Sequence, residues 1–329
     1  MLKFGIVGTG MIANFHADAI KSLDDAKLCG VYDNVSDKAK AFAQKHNIKA
    51  YKSYEDMLTD CDLDAVCICT PSGFHKEQAM MALKHQKNVV VEKPMAFTYE
   101  DCRQIDEECK KSGCILTVIS QFRFSDNVKK VKKLVSSNAF GKLIFCDLYM
   151  KYWRSPEYFN SSNWKGTKAL EGGGALMNQG IHGVDLLTYI VGDAKVVNAK
   201  TKTVFHNIEV EDAAVAVLEF ENGAMGVIEA STCAYPGFER RIEIIGTKGS
   251  VILKENTIEK LVIDGEDITI KNEAGDVIGT ASDPSAMSYK FHAEQIQNFI
   301  NAVDGKEKLL VGAADGARAV KIIENIYRY

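Results

Sequence analysis

A strand that breaks on two glycines and turns at once into a helix limits what the start of this chain can become. Lys3-Phe-Gly-Ile-Val7 reads as the strand, Gly8-Thr-Gly10-Met11-Ile12-Ala13 as the turn, and a helical run to about Ser22 follows. Gly8 permits the tight turn, and Gly10 lets a pyrophosphate approach the backbone. Ala13 allows the helix to pack close to the strand, and the positive end of the helix, opened by Met11 and Ile12, faces the phosphates. Asp33 ends the next apolar strand, Leu28–Tyr32. A carboxylate there accepts hydrogen bonds from the adenosine ribose hydroxyls and repels a 2′-phosphate, and Asn34 beside it supplies no cation to hold one. NAD is therefore expected in preference to NADP.

The alternation of strand and helix continues. Ser36 is placed to cap a helix running to about His46. Ala65–Cys69 is a further strand, leading into Thr70-Pro71-Ser-Gly-Phe-His75 and a helix to His85. Asn88-Val-Val-Val-Glu92-Lys93-Pro94 then gives three consecutive valines, the pattern of a strand buried on both faces of a parallel sheet. It ends on a carboxylate, an amine and a proline. Ligands of such sheets bind outside the carboxyl ends of the strands, so Lys93 is placed where chemistry is done. A helix follows from about Thr98, whose hydroxyl can cap it with Asp101 in the first turn. Ile115–Ile119 closes the series. Repeated βα units predict an α/β fold with a doubly wound parallel sheet and right-handed crossovers, assigned to residues 1–121 as a dinucleotide-binding domain.

After Gln121 the rhythm changes. A helix is predicted over about Asp126–Val135, and then strands succeed strands. Glu221-Asn222-Gly223 and Gly246-Thr-Lys-Gly249 each separate two apolar runs, which are hairpin signals. A largely antiparallel sheet packed on one face by helices is expected, with two closing helices over about Tyr289–Val303 and Ala313–Tyr327. Residues 122–329 are assigned to this second domain. Between its strands lies an aromatic, arginine-bearing loop, Trp153 to Thr167, followed by Glu171-Gly172-Gly173-Gly174-Ala-Leu-Met-Asn178 and His182. The three glycines would allow close approach of a ligand to the backbone. Asn178 and His182, four apart, would share a helix face. Arg154, Tyr158, Trp164 and Lys165 are candidates to line a substrate pocket, with Arg154 and Lys165 suited to a carboxylate or phosphate.

Composition excludes several classes. At 329 residues, 46% hydrophobic and 26% charged, the chain has the balance of an ordinary soluble protein. Its net charge of -4 gives no electrostatic reason to expect nucleic acid. The nine cysteines are scattered, with no C-x-x-C and no metal-ligand spacing, so no metal is expected and a reducing, cytoplasmic setting is. There is no signal-peptide pattern, and no apolar run approaches a membrane span.

These motifs together resemble the glucose–fructose oxidoreductase / inositol dehydrogenase / rhizopine-catabolism family, written Gfo/Idh/MocA. The resemblance rests on Gly8-x-Gly10-x-x-Ala13, Thr70-Pro71-x-x-x-His75, Glu92-Lys93-Pro94, Gly172-Gly173-Gly174 with His182 and Asp185, Phe220-Glu-Asn-Gly223-Ala, and Gly312-x-x-x-Gly316-x-Arg318. It implies a Rossmann domain and a C-terminal α/β domain with a large, mostly antiparallel open sheet that joins protomers into a homodimer or homotetramer. It also implies NAD(P)-dependent hydride transfer at a secondary alcohol of a sugar, cyclitol or nucleotide-sugar. Lys93 becomes the catalytic lysine, with His182 its partner and Asn178 the third catalytic candidate, and Thr70, Pro71, His75, Glu92, Lys93 and Gln121 join the cofactor-binding residues. The Lys93–Pro94 bond is expected to be cis. One position departs: many members carry aspartate where this chain has Asn178, which holds a hydrogen bond but supplies no charge. An Asn-Gln-x-x-His pattern is similar to that of nucleotide-sugar acid dehydrogenases, so the departure has two readings: a substrate subclass, or altered catalysis with His182 a weaker general base. Two other activities fit the same resemblance, a redox-neutral NAD-dependent glycosidase and a non-catalytic sugar- or nucleotide-sensing regulator.

Overall fold

Residues 1–60, 62–269 and 288–329 are described in a computed structural model of the chain. Six strands make the first sheet: β1 (Leu2–Val7), β2 (Ala26–Tyr32), β3 (Lys49–Ala50), β4 (Ala65–Ile68), β5 (Asn88–Val91) and β6 (Leu116–Val118). All their pairings are parallel, in the order β3-β2-β1-β4-β5-β6. That is the order of a Rossmann sheet, in which the chain reverses direction between β1 and β4 and opens a crevice at their carboxyl ends. The helices between the strands are α1 (Met11–Lys21), α2 (Ser36–His46), α3 (Tyr54–Thr59), α4 (His75–Lys84) and α5 (Tyr99–Ser112). Strands β4 and β5 are buried along both faces from Ala65 to Ile68 and from Val89 to Val91, as their unbroken apolar runs require.

The two predicted caps differ. Thr98 Oγ1 accepts the Asp101 N–H at 3.1 Å and starts α5 as expected. Ser36 does not cap α2; it is the first helical residue, after an extended Val35, and the Val35 N–H goes to Asp33 Oδ1 at 2.9 Å instead.

The second sheet has eight strands: β7 (Leu143–Lys151), β8 (Ala194–Lys202), β9 (Ala213–Phe220), β10 (Met225–Ser231), β11 (Arg241–Gly246), β12 (Gly249–Lys254), β13 (Thr257–Ile263) and β14 (Glu266–Asp267). Their order is β14-β13-β12-β11-β7-β10-β9-β8, antiparallel throughout except between β7 and β10. Both hairpins named from the sequence are present, and Gly223 adopts the left-handed conformation that the first turn demands (φ 83°). Side chains alternate along β9, with Ala214, Ala216, Leu218 and Phe220 buried and their neighbours outside. Remaining helices are α6 (Asp126–Ser136), α7 (Pro156–Asn160), α8 (Ile181–Val191), α9 (Lys290–Val303) and α10 (Ala313–Tyr327).

By compactness the chain forms two units: Met1–Gln121 with Ser288–Ala317, and Phe122–Met287 with Arg318–Tyr329. Thus α9, grouped with residues 122–329 on sequence, packs in the first unit. Its Ile296, Phe299 and Ile300 join the core of β1, β2 and α1, with the Phe4 and Phe299 rings 6.2 Å apart. Among the described residues no helix is long and apolar enough to cross a membrane.

Candidate active site

In the first unit the glycine turn divides its labour. Gly8 has φ 90°, and an added Cβ would lie 2.8 Å from the Cys69 carbonyl oxygen at the end of β4. It is therefore required by the chain's own backbone. Gly10 is different: an added Cβ there would meet nothing within 4 Å. Gly10 is also the N-cap of α1 and makes no side-chain cap, and the first turn of the helix carries no acidic residue. Helix N–H groups left without a cap beside open space are what an anionic diphosphate needs, so these residues fit a bound dinucleotide. Asp33 buttresses the same turn, its Oδ2 accepting the Thr9 N–H at 2.9 Å and the Thr9 hydroxyl at 2.7 Å. Met11 and Asn34 are exposed and Ile12 is half-buried.

The Thr70–His75 segment and the Glu92–Pro94 turn are tied together by one imidazole. His75 is buried, with Nδ1 2.7 Å from the Pro94 carbonyl oxygen and Nε2 2.9 Å from that of Thr70. Burial pushes the His75 pKa down, against the raising effect of those two carbonyls. Its ring nitrogens are thus committed to holding the turn that carries Lys93. The Lys93–Pro94 peptide is cis, and Lys93 is half-buried at the carboxyl end of β5. Thr70 Oγ1 donates to Gln78 Oε1 at 2.6 Å. Pro71 is half-buried and precedes a short 3-10 turn, Ser72–Phe74. Gln121 is buried, and its side-chain oxygen has no partner among the described residues.

Glu92 points the other way, into the core. His16 Nε2 lies 2.9 Å from Glu92 Oε1, and His292 Nε2 lies 3.8 Å from the same oxygen. Burial pushes the Glu92 carboxyl up, but the hydrogen bond with His16 and the His292 imidazole nearby outweigh it and hold the group well below the usual carboxylate range. The three residues could offer a metal one ligand atom each, within 4.8 Å of one another. Imidazoles that bind metals almost always donate their other N–H to an outer acceptor. Here Nδ1 of both rings and Nε2 of His292 have no hydrogen-bond partner among the described residues, so the trio reads as a buried core group, joined by the His16–Glu92 hydrogen bond, behind the strand that leads to Lys93.

In the second unit the glycine–histidine segment forms a π turn, Ala175–Gly180, that runs directly into α8. The Gln179 N–H reaches back five residues to the Gly174 oxygen at 3.4 Å. Asn178 therefore sits in the π turn and His182 in the first turn of α8, where the four-residue spacing predicts one regular helix. Gly173 and Gly174 make room for protein rather than for a ligand. A Cβ on Gly173 would strike the Tyr327 hydroxyl, and one on Gly174 the Glu211 carbonyl oxygen. Glu211 is buried and fills the turn's entrance, accepting the N–H groups of Gly174 (2.9 Å) and Leu176 (2.8 Å) and the Tyr327 hydroxyl (2.9 Å). Burial pushes its carboxyl pKa up despite these donors.

Around this turn the structure gathers several predicted residues. Arg154 is 3% exposed, donating to the Trp153 oxygen (2.8 Å) and to Gln179 Oε1 (2.9 Å), with its guanidinium 5.7 Å from the Tyr158 ring centre. The Tyr158 hydroxyl accepts from Gln179 Nε2 at 3.0 Å. Lys165 Nζ stands 3.8 Å from the centre of the same ring and donates to Ser161 Oγ at 2.9 Å. Burial lowers the Lys165 pKa; Glu171 opposes this and Arg154 adds to it. Asn178 Nδ2 donates to Glu171 Oε1, and the Gly166 N–H to Glu171 Oε2. Trp164 is half-buried, its carbonyl accepting the Thr167 hydroxyl at 2.7 Å. The His182 ring meets Phe122 edge-on at 5.2 Å. Asp185, one turn further along α8, takes a two-point hydrogen bond from buried Arg123 (2.9 and 2.6 Å).

Sequence reasoning missed Glu171, Glu211, Gln179, Arg123, His16 and His292. Carboxylates and arginines are surface residues by default, and nothing local marks these as buried.

A parallel sheet in Rossmann order, with an open glycine turn and a lysine at its carboxyl end, defines an NAD-binding oxidoreductase of the dehydrogenase type. The family described as "Oxidoreductase family, NAD-binding Rossmann fold" matches residues 2–120, and the GFO/IDH/MocA C-terminal domain matches residues 128–252. The chain belongs to the Gfo/Idh/MocA family. It is 30% identical to a myo-inositol 2-dehydrogenase of Thermotoga maritima, covering 97% of this chain and 93% of the relative. A scyllo-inositol 2-dehydrogenase (NAD(+)) of Bacillus subtilis is 26% identical, over 94% of this chain and 88% of the relative. Among solved structures, the WlbA dehydrogenase of Bordetella pertussis, in complex with NADH and UDP-GlcNAcA, superposes with a TM-score of 0.88 at 31% identity, over 99% of this chain and 95% of that one.

Proposed function

We propose that the chain catalyses reversible oxidation of a secondary alcohol on a sugar, cyclitol or nucleotide-sugar, with NAD favoured over NADP. The observation that carries the reading is in the first unit. The uncapped, unblocked start of α1 and Lys93 both stand at the carboxyl ends of one parallel sheet. The glycine turn of Gly8, Gly10, Met11 and Ile12 binds the diphosphate through backbone N–H groups. Asp33 accepts the ribose hydroxyls and disfavours a 2′-phosphate, with Asn34 adding no positive charge. Thr70, Pro71, His75, Glu92 and Gln121 complete the dinucleotide site, His75 and Glu92 by shaping the turn around Lys93. When bound, the nicotinamide accepts or supplies the hydride.

Lys93 takes the proton of the substrate hydroxyl during oxidation and returns it during reduction, and as an ammonium it stabilises alkoxide charge. His182 shares that proton, and Asn178 orients it. Arg154, Tyr158, Trp164 and Lys165 line the substrate pocket. In this reading residues 1–121 serve the dinucleotide and 122–329 the substrate and assembly. Ile144, Phe145, Val215, Val217 and Met225 leave an exposed apolar face on the second sheet, through which a homodimer or homotetramer forms. The eight described cysteines are all free, which supports a reducing, cytoplasmic setting.

The test is absorbance at the reduced-nicotinamide band with NAD, then NADP, over inositols, sugars and nucleotide-sugar acids. UDP-linked hexuronic acids come first, because the similar Bordetella structure was captured with one. Sustained NADH formation with one class supports the dehydrogenase. Substrate consumption without net NADH would assign the redox-neutral glycosidase, and NAD binding with no turnover the sensor.

A further inference from the structure

We propose that Gln295 is a positioning residue for the dinucleotide site: its side-chain amide stands in for a further strand along β6 and so fixes Gln121, which follows the segment it holds. The proposal rests on the reading of Gln121 given above. β6 ends the order of the first sheet. On the side facing β5, the Ile119 N–H goes to the Val91 oxygen and the Ile115 oxygen takes the Val89 N–H, both at 2.9 Å. The peptide groups between them, the Val118 carbonyl and the Ser120 N–H, therefore face the outer side. There Gln295 of α9 takes both: Oε1 accepts the Ser120 N–H at 3.0 Å, and Nε2 donates to the Val118 oxygen at 2.8 Å. That is the pair of bonds one residue of a parallel neighbouring strand would make. Nε2 also donates to Thr117 Oγ1 at 2.9 Å, and the Thr117 hydroxyl donates in turn to the Val311 oxygen at 2.8 Å. Gln295 is 1% exposed, and its amide cannot flip without setting oxygen against the Val118 oxygen and N–H against the Ser120 N–H.

The held segment stops one residue short of Gln121, which is buried and whose Oε1 has no partner among the described residues. A buried amide oxygen without a donor is an unmet acceptor, and a dinucleotide carries donors in its carboxamide and ribose hydroxyls. Fixing Ser120 fixes where that acceptor stands. One turn earlier on α9, His292 lies 3.8 Å from Glu92, the residue before Lys93. A single helix thus backs the carboxyl ends of both β5 and β6.

The test is a double-mutant cycle on NADH affinity in the full chain: Gln295→Met, Gln121→Ala and the double variant, each followed by fluorescence titration. Methionine keeps the length of the side chain but offers no N–H and only a weak acceptor. We expect Gln295→Met to bind NADH about tenfold more weakly, the scale of one hydrogen bond misplaced, and Gln121→Ala to lose at least as much. With the Gln121 amide already gone, nothing is left for the Gln295 substitution to misplace. The double variant should therefore match Gln121→Ala within about twofold. Gln295→Glu keeps an acceptor for the Ser120 N–H and should lie between the wild type and Gln295→Met. Without cofactor, the Ser120 amide should exchange with deuterium faster in Gln295→Met. Wild-type affinity in Gln295→Met beside a weakened Gln121→Ala would overturn the proposal and leave the dinucleotide site standing. Wild-type affinity in Gln121→Ala would sink the reading of Gln121, and the proposal with it. Weakening by the same factor in both backgrounds, or unchanged Ser120 exchange, would also overturn it. Failure of both Gln295→Met and Gln295→Glu to fold would do the same, making Gln295 a structural residue only.

Discussion

At Gly10 an added Cβ would meet nothing within 4 Å, whereas at Gly174 it would run into the Glu211 carbonyl oxygen. Both glycines lead into helical turns, and in the sequence both read as places where a ligand nears the backbone. At α1 the helix start is uncapped and open. At the π turn it is closed by a buried carboxylate that takes the N–H groups of Gly174 and Leu176. The first turn leaves the space of its missing side chain open, and the second gives that space to Tyr327 and Glu211. A glycine run is thus evidence for close approach, and only the neighbours say of what.

The largest effects should come where glycine is required by protein. Gly8→Ala combines a positive φ with a backbone clash, so about 2–4 kcal/mol of stability should be lost. Gly174→Ala should cost about 1–3 kcal/mol by overpacking; both are read from denaturant unfolding. Gly10→Ala should leave the unfolding midpoint nearly unmoved while weakening NADH roughly tenfold or more, because the added methyl blocks the diphosphate and its hydrogen bonds. Equal stability losses at Gly10 and Gly174 would break the comparison.

Acidification tests the first unit, which holds His75 and His292 buried. Burial lowers the pKa values of His75 and His292, so below the ordinary imidazole range the unfolded chain binds more protons than the folded one. Stability should therefore be flat above about pH 7 and fall as pH drops through about 6.5. Glu92, held well below the carboxylate range, contributes stability that is lost only at still lower pH. His292→Gln should remove up to one proton from the slope of midpoint against pH between about 7 and 5; an unchanged slope would contradict the assignment. The smallest expected effect separates two caps. Thr98→Ala should cost about 1 kcal/mol, and Ser36→Ala less than about 0.5.

What was legible followed from local rules. The β1 turn, the valine strand ending at Lys93, the Thr98 cap and the Glu221-Asn222-Gly223 hairpin each need only neighbouring residues, and each appears. The π turn was not legible, because its five-residue hydrogen bond depends on Gly173 and Gly174 seating against Tyr327 and Glu211, distant in sequence. Glu171 and Glu211 were hidden for the same reason: a carboxylate reveals its burial only once its donors have been brought to it. β3 and β14, two residues each, are too short for any periodicity. The packing of α9 in the first unit is likewise set by long-range contact among Phe4, Ile296 and Phe299.

The most direct test pairs turnover with cofactor binding in Lys93→Ala. NADH binding, followed by fluorescence titration, should stay within about twofold of the wild type, while NAD reduction by the best alcohol should fall by about 10² to 10⁴, the contribution of a positioned proton-transfer group. Wild-type turnover in Lys93→Ala would contradict the account at its centre.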